Sequence, residues 1–404
     1  MYITREIEGT IDAMLQQGKV VLVTGARQVG KTTVLQHHLG GRFNYVSLEN
    51  PHAFSLARSD AMLFFDEHEL PLVIDEIQRA PELFSTVKFL VDQSVERGRI
   101  VLTGSQTYHL MKGVSESLAG RIRILQMPAL SLRELLGQAS CPHACIPEKL
   151  GALPSPGMSG AELWETIHRG SMPELQDESI EWDAFYADYV HSYLERDVRD
   201  LVSVQDEAKF YDFMVACAAR SGQLFNASDI GKAIQVDHKT VCSWLSALQA
   251  SGIVHLLQPF FPNVEKRLTK TPKLYFMDTG LVCYLTRWTT TEQLRNGAVA
   301  GHVFETFVVS EVLKSYMNAG ANVRDVWFYR DARKREIDLV IQDGHVLHPI
   351  EVKLAARVDA NTASNFRCLE GFSSYELGFG YVVCRVDEPQ LIARGVQAVP
   401  VWAL

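Results

Sequence analysis

Short apolar, β-branched runs punctuate the first third of the chain. Val20-Val21-Leu22-Val23, Tyr45-Val46-Ser47-Leu48, Leu72-Val73-Ile74, Ile100-Val101-Leu102 and Ile122-Arg123-Ile124-Leu125 are separated by amphipathic, helix-compatible stretches. This alternation predicts a parallel sheet with helices on both faces over residues 1–140. Residues 141–222 open with a stretch rich in Pro, Gly and Ser that reads as a linker, and continue as a helical segment. In 223–282, Asn226–Ile234 reads as a short helix, and Asp237 caps a second one. The second helix sets Val241, Trp244, Leu245 and Leu248 on one face and His238, Lys239, Thr240 and Ser243 on the other. Ile253–Leu257 and Leu274–Phe276 then read as hairpin strands, the pattern of a winged helix-turn-helix. Residues 298–404 return to a helix followed by strands.

The first strand runs into Gly25-Ala26-Arg27-Gln28-Val29-Gly30-Lys31-Thr32, and Thr32-Thr33-Val34-Leu35-Gln36 opens a helix. A Gly-x4-Gly-Lys-Thr segment between strand and helix is a phosphate-binding P-loop. Gly25 and Gly30 let the backbone curl its N–H groups toward phosphates, and the helix N-terminus adds positive partial charge. Lys31 is placed for the β- and γ-phosphates and Thr32 for Mg²⁺. Gln28, Val29 and Thr33 complete the predicted ATP-binding set. In Leu70–Glu76 an apolar strand delivers Asp75, a second Mg²⁺ ligand, and then Glu76, which orients or deprotonates the attacking water. Ile100–Leu102 ends in Thr103-Gly104-Ser105-Gln106, where Ser105 or Gln106 senses the γ-phosphate. Arg121 is either an arginine finger acting on a neighbour's nucleotide, which requires a homo-oligomer, or a structural residue beginning a strand.

A second constellation lies near the C-terminus. Glu305 precedes Val308, Val309 and Val312 at i+3, i+4 and i+7, so its carboxylate aligns with an apolar face and needs a partner or a metal. Arg335–Ile341 and His348–Leu354 alternate as strands around the turn Gln342–His345, bringing Asp338 near Glu351 and Lys353. Asp338 and Glu351 are candidate Mg²⁺ ligands, and Lys353 a group that activates or positions water for phosphodiester attack. Arg330, Arg333, Lys334 and Arg335 either steer a nucleic-acid backbone or form a solvated hairpin. Between the predicted wing strands, Lys266, Arg267, Lys270 and Lys273 face one acid, Glu265. This suits a DNA backbone, although such modules in ATPases also serve as lids or protein contacts. Cys141-Pro142-His143-Ala144-Cys145 lacks a second ligand cluster, so zinc is not expected.

Composition narrows these readings. A chain of 404 residues is long enough for two to four domains. Its 47% hydrophobic and 22% charged residues are those of a globular protein. Seven dispersed cysteines argue against a disulfide framework. The net charge of −9 excludes a polybasic coat but not a local basic groove. No apolar run approaches the roughly 20 residues that span a bilayer, and Met1–Glu6 lacks a signal-peptide core. The expectation is a cytoplasmic protein with no membrane partner.

With these motifs the chain resembles a group of prokaryotic AAA-type ATPases. The resemblance is carried by Thr24–Thr32, Val73–Gln78, Leu102–Ser105, Leu118–Arg121 and Pro128–Glu134, and extends through Gly170–Glu174, Tyr193–Asp197 and Lys273–Leu281. It implies an ATPase core joined to a C-terminal domain of unknown function. Glu305, Asp338, Glu351 and Lys353 in turn resemble the Asp…Glu-x-Lys set of restriction-endonuclease-like nucleases. The expected fold class is α/β: a P-loop NTPase domain with a parallel sheet, then a winged-helix module and a restriction-endonuclease-like α/β domain. Three functions stay open. One couples ATP turnover to nucleic-acid binding or cleavage; the second is a regulatory switch whose C-terminal parts bind protein or DNA without cutting; the third is a nucleotide-binding regulator of transcription that uses the winged helix alone.

Overall fold

The computed structural model describes residues 2–104, 118–139, 158–193, 207–263 and 270–404. Among the described residues the chain opens with a five-stranded, wholly parallel sheet. Its strands are β1 (Val20–Thr24), β2 (Asn44–Ser47), β3 (Leu72–Asp75), β4 (Ile100–Gly104) and β5 (Ile122–Gln126), in the order β2-β3-β4-β1-β5. All five coincide with the apolar runs. Residues of β1 alternate between two cores. Val21 and Val23 pack with Ile7, Ile11, Val34 and Leu35, whereas Val20 and Leu22 pack with Phe64, Leu83, Phe84 and Val87. Helices therefore cover both faces, which is why a continuous apolar run is stable there.

Helices Gly160–Arg169, Trp182–Tyr193 and Glu207–Ala218 lead into the middle module. Asn226 caps Ala227–Ile234, and Asp237 caps His238–Ala250 through Thr240 N (2.9 Å). Val241, Trp244, Leu245 and Leu248 are buried, as their spacing predicts. The following hairpin pairs β7 (Val254–Leu257) with β8 (Lys273–Phe276). A short strand, β6 (Gln223–Leu224), adds to β8 and was not anticipated. The wing residues Glu265, Lys266 and Arg267 lie outside the described residues, as does the expected linker's cysteine segment.

The C-terminal part places helix Ala300–Asn318 against a seven-stranded mixed sheet. Strands β9 (Val326–Arg330), β10 (Glu336–Asp343) and β11 (Val346–Val352) form an antiparallel meander. Strands β12 (Glu376–Leu377) and β13 (Gly380–Cys384) run parallel to β11. Strand β14 (Gln390–Ala393) is antiparallel to β15 (Val396–Pro400), which lies parallel to β13. The helix is buried almost all round, Glu311, Lys314 and Asn318 included. It is held from one side by its own sheet and from the other by the first domain, where Thr10 Oγ1 donates to Asn318 O (2.6 Å). No described helix is long and apolar enough to cross a membrane.

Candidate nucleotide site and carboxylate cluster

The loop after β1 is shaped by two glycines. A Cβ on Gly25 (φ 155°) would stand 2.2 Å from the carbonyl oxygen of Met127, so no larger residue fits. Gly30 (φ 90°) turns the chain into helix Lys31–Leu39. Gln28 and Glu76, neither of them glycine, also hold φ near +60°. Such conformations are uncommon outside glycine and here flank the site. Lys31 is nearly buried, and its Nζ donates to the carbonyls of Gly25 (3.0 Å) and Ala26 (2.7 Å). Thr32 Oγ1 donates to Asp75 Oδ2 (2.9 Å) although β4 lies between β1, which leads to the helix of Thr32, and β3, which ends at Asp75. Hydroxyl and buried carboxylate thus form the oxygen pair that a hard cation such as Mg²⁺ takes. Glu76 sits beside them. Burial, and then the charge of Asp75, raise its pKa above the ordinary glutamate value, while Gln78, whose Nε2 donates to its Oε2, pulls the other way.

These groups open onto a cleft of about 1060 Å³ that Gln28, Gly30, Thr33 and Glu76 line on one side. Its far wall comes from the middle segment, with Pro173, Glu174 and Ile180. That wall is fixed by Asp278, which accepts from Ser171 N (2.7 Å), Ser171 Oγ (2.8 Å), Tyr186 OH (2.6 Å) and Leu281 N (2.8 Å). Two further residues escaped the sequence reading. Tyr45 donates its hydroxyl to Asp75 Oδ2 (2.6 Å). Arg5 braces the back of the loop through Val29 O (2.9 Å) and Pro128 O (2.8 Å). Nothing in the motif spacing points to either, because both reach the site across the fold.

Arg121 is not at its own chain's nucleotide site. It precedes β5, whose Ile122 pairs with Val20 at the start of β1, whereas the loop follows Thr24 at the end. About five residues of strand, on the order of 15 Å, intervene. Its guanidinium pairs with Asp92 (2.6 and 2.9 Å) at the surface. Ser105 and Gln106, the candidate γ-phosphate sensors, lie outside the described residues.

In the C-terminal domain the four predicted groups converge. The β10–β11 register pairs Leu339 with Ile350, and Asp338 and Glu351 are the next residues along the two strands. Lys353 Nζ donates to Glu351 Oε1 (2.6 Å), and Val352 N to Asp338 Oδ2 (2.8 Å). Glu305 completes the group from its helix and accepts from Tyr275 OH (2.7 Å). Burial first, and then the neighbouring carboxylates Glu305 and Glu351, push the Asp338 pKa up. One sequence expectation is corrected here. Lys273 does not face a phosphate backbone from the wing. It is 2% exposed and lies among these carboxylates, 2.6 Å from Glu336, 3.0 Å from Glu305 and 3.8 Å from Asp338. Among the described residues no three His, Cys, Asp or Glu side chains close on a point as metal ligands do. The basic run before Asp338 is partly neutralised within itself: Arg330 pairs with Glu336 (2.9 Å) and Arg335 with Asp331 (2.7 Å).

Three family models match the chain: an AAA domain over residues 17–136, a domain of unknown function (DUF8612) over 160–292, and another (DUF4143) over 300–404. The first agrees with the loop and sheet, and the N-terminal unit is an AAA-type P-loop domain. The uncharacterized proteins Rv2008c of Mycobacterium tuberculosis and Mb2031c of Mycobacterium bovis are each 28% identical over 352 residues, covering 86% of this chain and 73% of theirs. Among solved structures, the Walker-type ATPase PABY2304 of Pyrococcus abyssi is 14% identical (70% of this chain, 96% of that one) with a TM-score of 0.40. The Holliday junction branch migration motor RuvB of Thermotoga maritima is 16% identical (63% and 90%) with a TM-score of 0.30.

Proposed function

We propose that the chain is an ATP-hydrolysing switch whose nucleotide state is passed to its C-terminal parts. The observation that carries the hydrolytic reading is the Thr32–Asp75 contact beside Lys31 and Glu76. Mg²⁺ held by Thr32 and Asp75 would supply charge neutralisation at the phosphates. Lys31, released from its loop carbonyls, binds the β- and γ-phosphates. Glu76 takes the proton from the attacking water. The nucleotide lies between the P-loop and the wall at Pro173–Ile180, and Asp278 ties that wall to the end of β8. Closing on ATP and relaxing after hydrolysis would therefore move the hairpin. The test is Mg²⁺-dependent ATP turnover. Lys31→Ala should abolish it, and turnover equal to wild type would sink the assignment.

In this reading the middle module is a winged helix, and its exposed helix face is a DNA or protein contact. Arg121 serves an adjacent copy's nucleotide in a homo-oligomer, and the protein works in the cytoplasm. A second reading, a restriction-endonuclease-like domain that cleaves phosphodiesters, is favoured by the meeting of Glu305, Asp338, Glu351 and Lys353. As they stand these residues do not fit a divalent ion, because Lys273 already pairs with the carboxylates. Cleavage assays on single- and double-stranded substrates, comparing wild type with Asp338→Ala, separate the two readings. Cleavage lost in the variant supports the nuclease. Cleavage by neither, nor by a Lys273→Met variant in which the buried ammonium is removed, with ATP turnover intact, supports the switch.

A further inference from the structure

The cluster gathers four carboxylates, Glu305, Glu336, Asp338 and Glu351, in a largely buried space. Buried carboxylates need a cation close by, and a buried ammonium needs carboxylates. Lys353 satisfies one oxygen of Glu351, from the edge of the site. The second oxygen, Glu351 Oε2, belongs to a residue only 7% exposed and has no hydrogen-bond partner among the described residues. The deeper cation is Lys273, and it does not come from the C-terminal domain. Strand β8 of the middle module carries it in, with Tyr275 two residues on bonding the same Glu305.

We propose that Lys273 is the resident cation of this cluster, occupying the place that a divalent ion would need, so that the C-terminal domain is closed to metal while β8 is seated. The proposal rests on the cation-site reading of Asp338 and Glu351 for where a metal would go. The chemistry favours it over an ordinary buried ion pair on two grounds. A single ammonium lies within 4 Å of three carboxylates from two separate elements, helix Ala300–Asn318 and β10. And Glu351, the remaining carboxylate of the group, keeps one buried oxygen without a donor among the described residues, as happens when a monovalent, three-donor group stands in for an ion that accepts six or more oxygens.

The test is titration of Mn²⁺ alone, by calorimetry, into full-length wild type, Lys273→Met, and Lys273→Met combined with Asp338→Asn. The expected result is no Asp338-dependent site in wild type, one site per chain in Lys273→Met, and loss of that site in the double variant. Lys273→Met should also melt earlier than wild type and recover with Mn²⁺, whereas wild type should be indifferent. If Lys273→Met folds only with Mn²⁺ present, that dependence counts for the proposal, and Lys273→Gln provides a milder variant for titration. An Asp338-dependent Mn²⁺ site in wild type overturns it, as does a folded Lys273→Met or Lys273→Gln that takes up no metal. The nuclease reading fails separately, if Lys273→Met loaded with Mn²⁺ cuts no nucleic acid.

Discussion

At the scale of single residues, the surroundings of Glu76 set its chemistry. Burial and Asp75 both favour its protonated form, and the hydrogen bond from Gln78 and the charge of Lys31 offset this in part. In the proposed mechanism Glu76 is the base, and a base works only when deprotonated, so its raised pKa should move the acid limb of ATP turnover upward, above the ~4.3 of an unperturbed glutamate. Turnover should rise with pH through that shifted value. Glu76→Gln is expected to keep nucleotide binding and to lower kcat by about 10²- to 10⁴-fold. Steady-state rates across pH check both, and wild-type turnover in the variant would remove Glu76 from the role. Gly25, Lys31, Thr32 and Asp75 were legible in the sequence because a backbone loop and a strand end fix their spacing locally. Arg5, Tyr45 and Lys273 were not. Each reaches its partner from a distant segment, and a basic residue between two predicted wing strands looks the same in sequence whether it meets solvent or buried acids.

At the scale of elements, local pattern decided most of the outcome. Helix His238–Ala250 follows from a cap and a 3.6-residue apolar period, and Trp244 packs its ring 5.3 Å from Phe210 and 5.6 Å from Phe213. Trp244→Ala should therefore cost about 3–5 kcal/mol, and Asp237→Ala, which removes only the cap, about 1 kcal/mol. Denaturant unfolding of the two variants tests the ranking, and equal losses would mean that the helix is held elsewhere. The three inner strands, β1, β3 and β4, were readable because both of their faces are buried, and the partly exposed edge strands β2 and β5 were readable by their short apolar runs. Strand β6 was not, since one exposed and one half-buried residue carry no periodicity and pair only because β8 offers a free edge. Glu305 was placed on its helix by the valines that follow it. Its partners Lys273 and Tyr275 come from another sheet, so the character of the cluster became visible only in three dimensions.

At the scale of the whole molecule, the two ends of the chain meet in a buried ionic network. Arg5 pairs with Glu134 (2.9 Å) and Arg133 with Glu6 (3.0 Å). Glu6 also accepts from Ser131 Oγ (3.1 Å) and from Asn318 Nδ2 (2.9 Å), on the C-terminal helix. Glu311 of that helix accepts from Leu132 N (2.6 Å), while Lys314 bonds Glu311 (2.7 Å) and Leu130 O (2.9 Å). The AAA-type domain is thus joined to the C-terminal domain by groups that cannot be separated without exposing paired charges. Burial, and then repulsion from Glu134, raise the Glu6 pKa to about 7, against the opposing pull of Asn318 and Arg133. Its unfolded value is 4.5. The folded state therefore holds a proton that the unfolded chain has released, and the associated stability is complete below about 4.5. It is lost as the pH rises to about 7, on the order of 3 kcal/mol in all. Glu6→Gln removes the titration and keeps an acceptor for Asn318. Its melting temperature relative to wild type should climb between those pH values and level off above them. A difference independent of pH would show that Arg133 keeps Glu6 ionised, and that the interface is locked by charge at every pH.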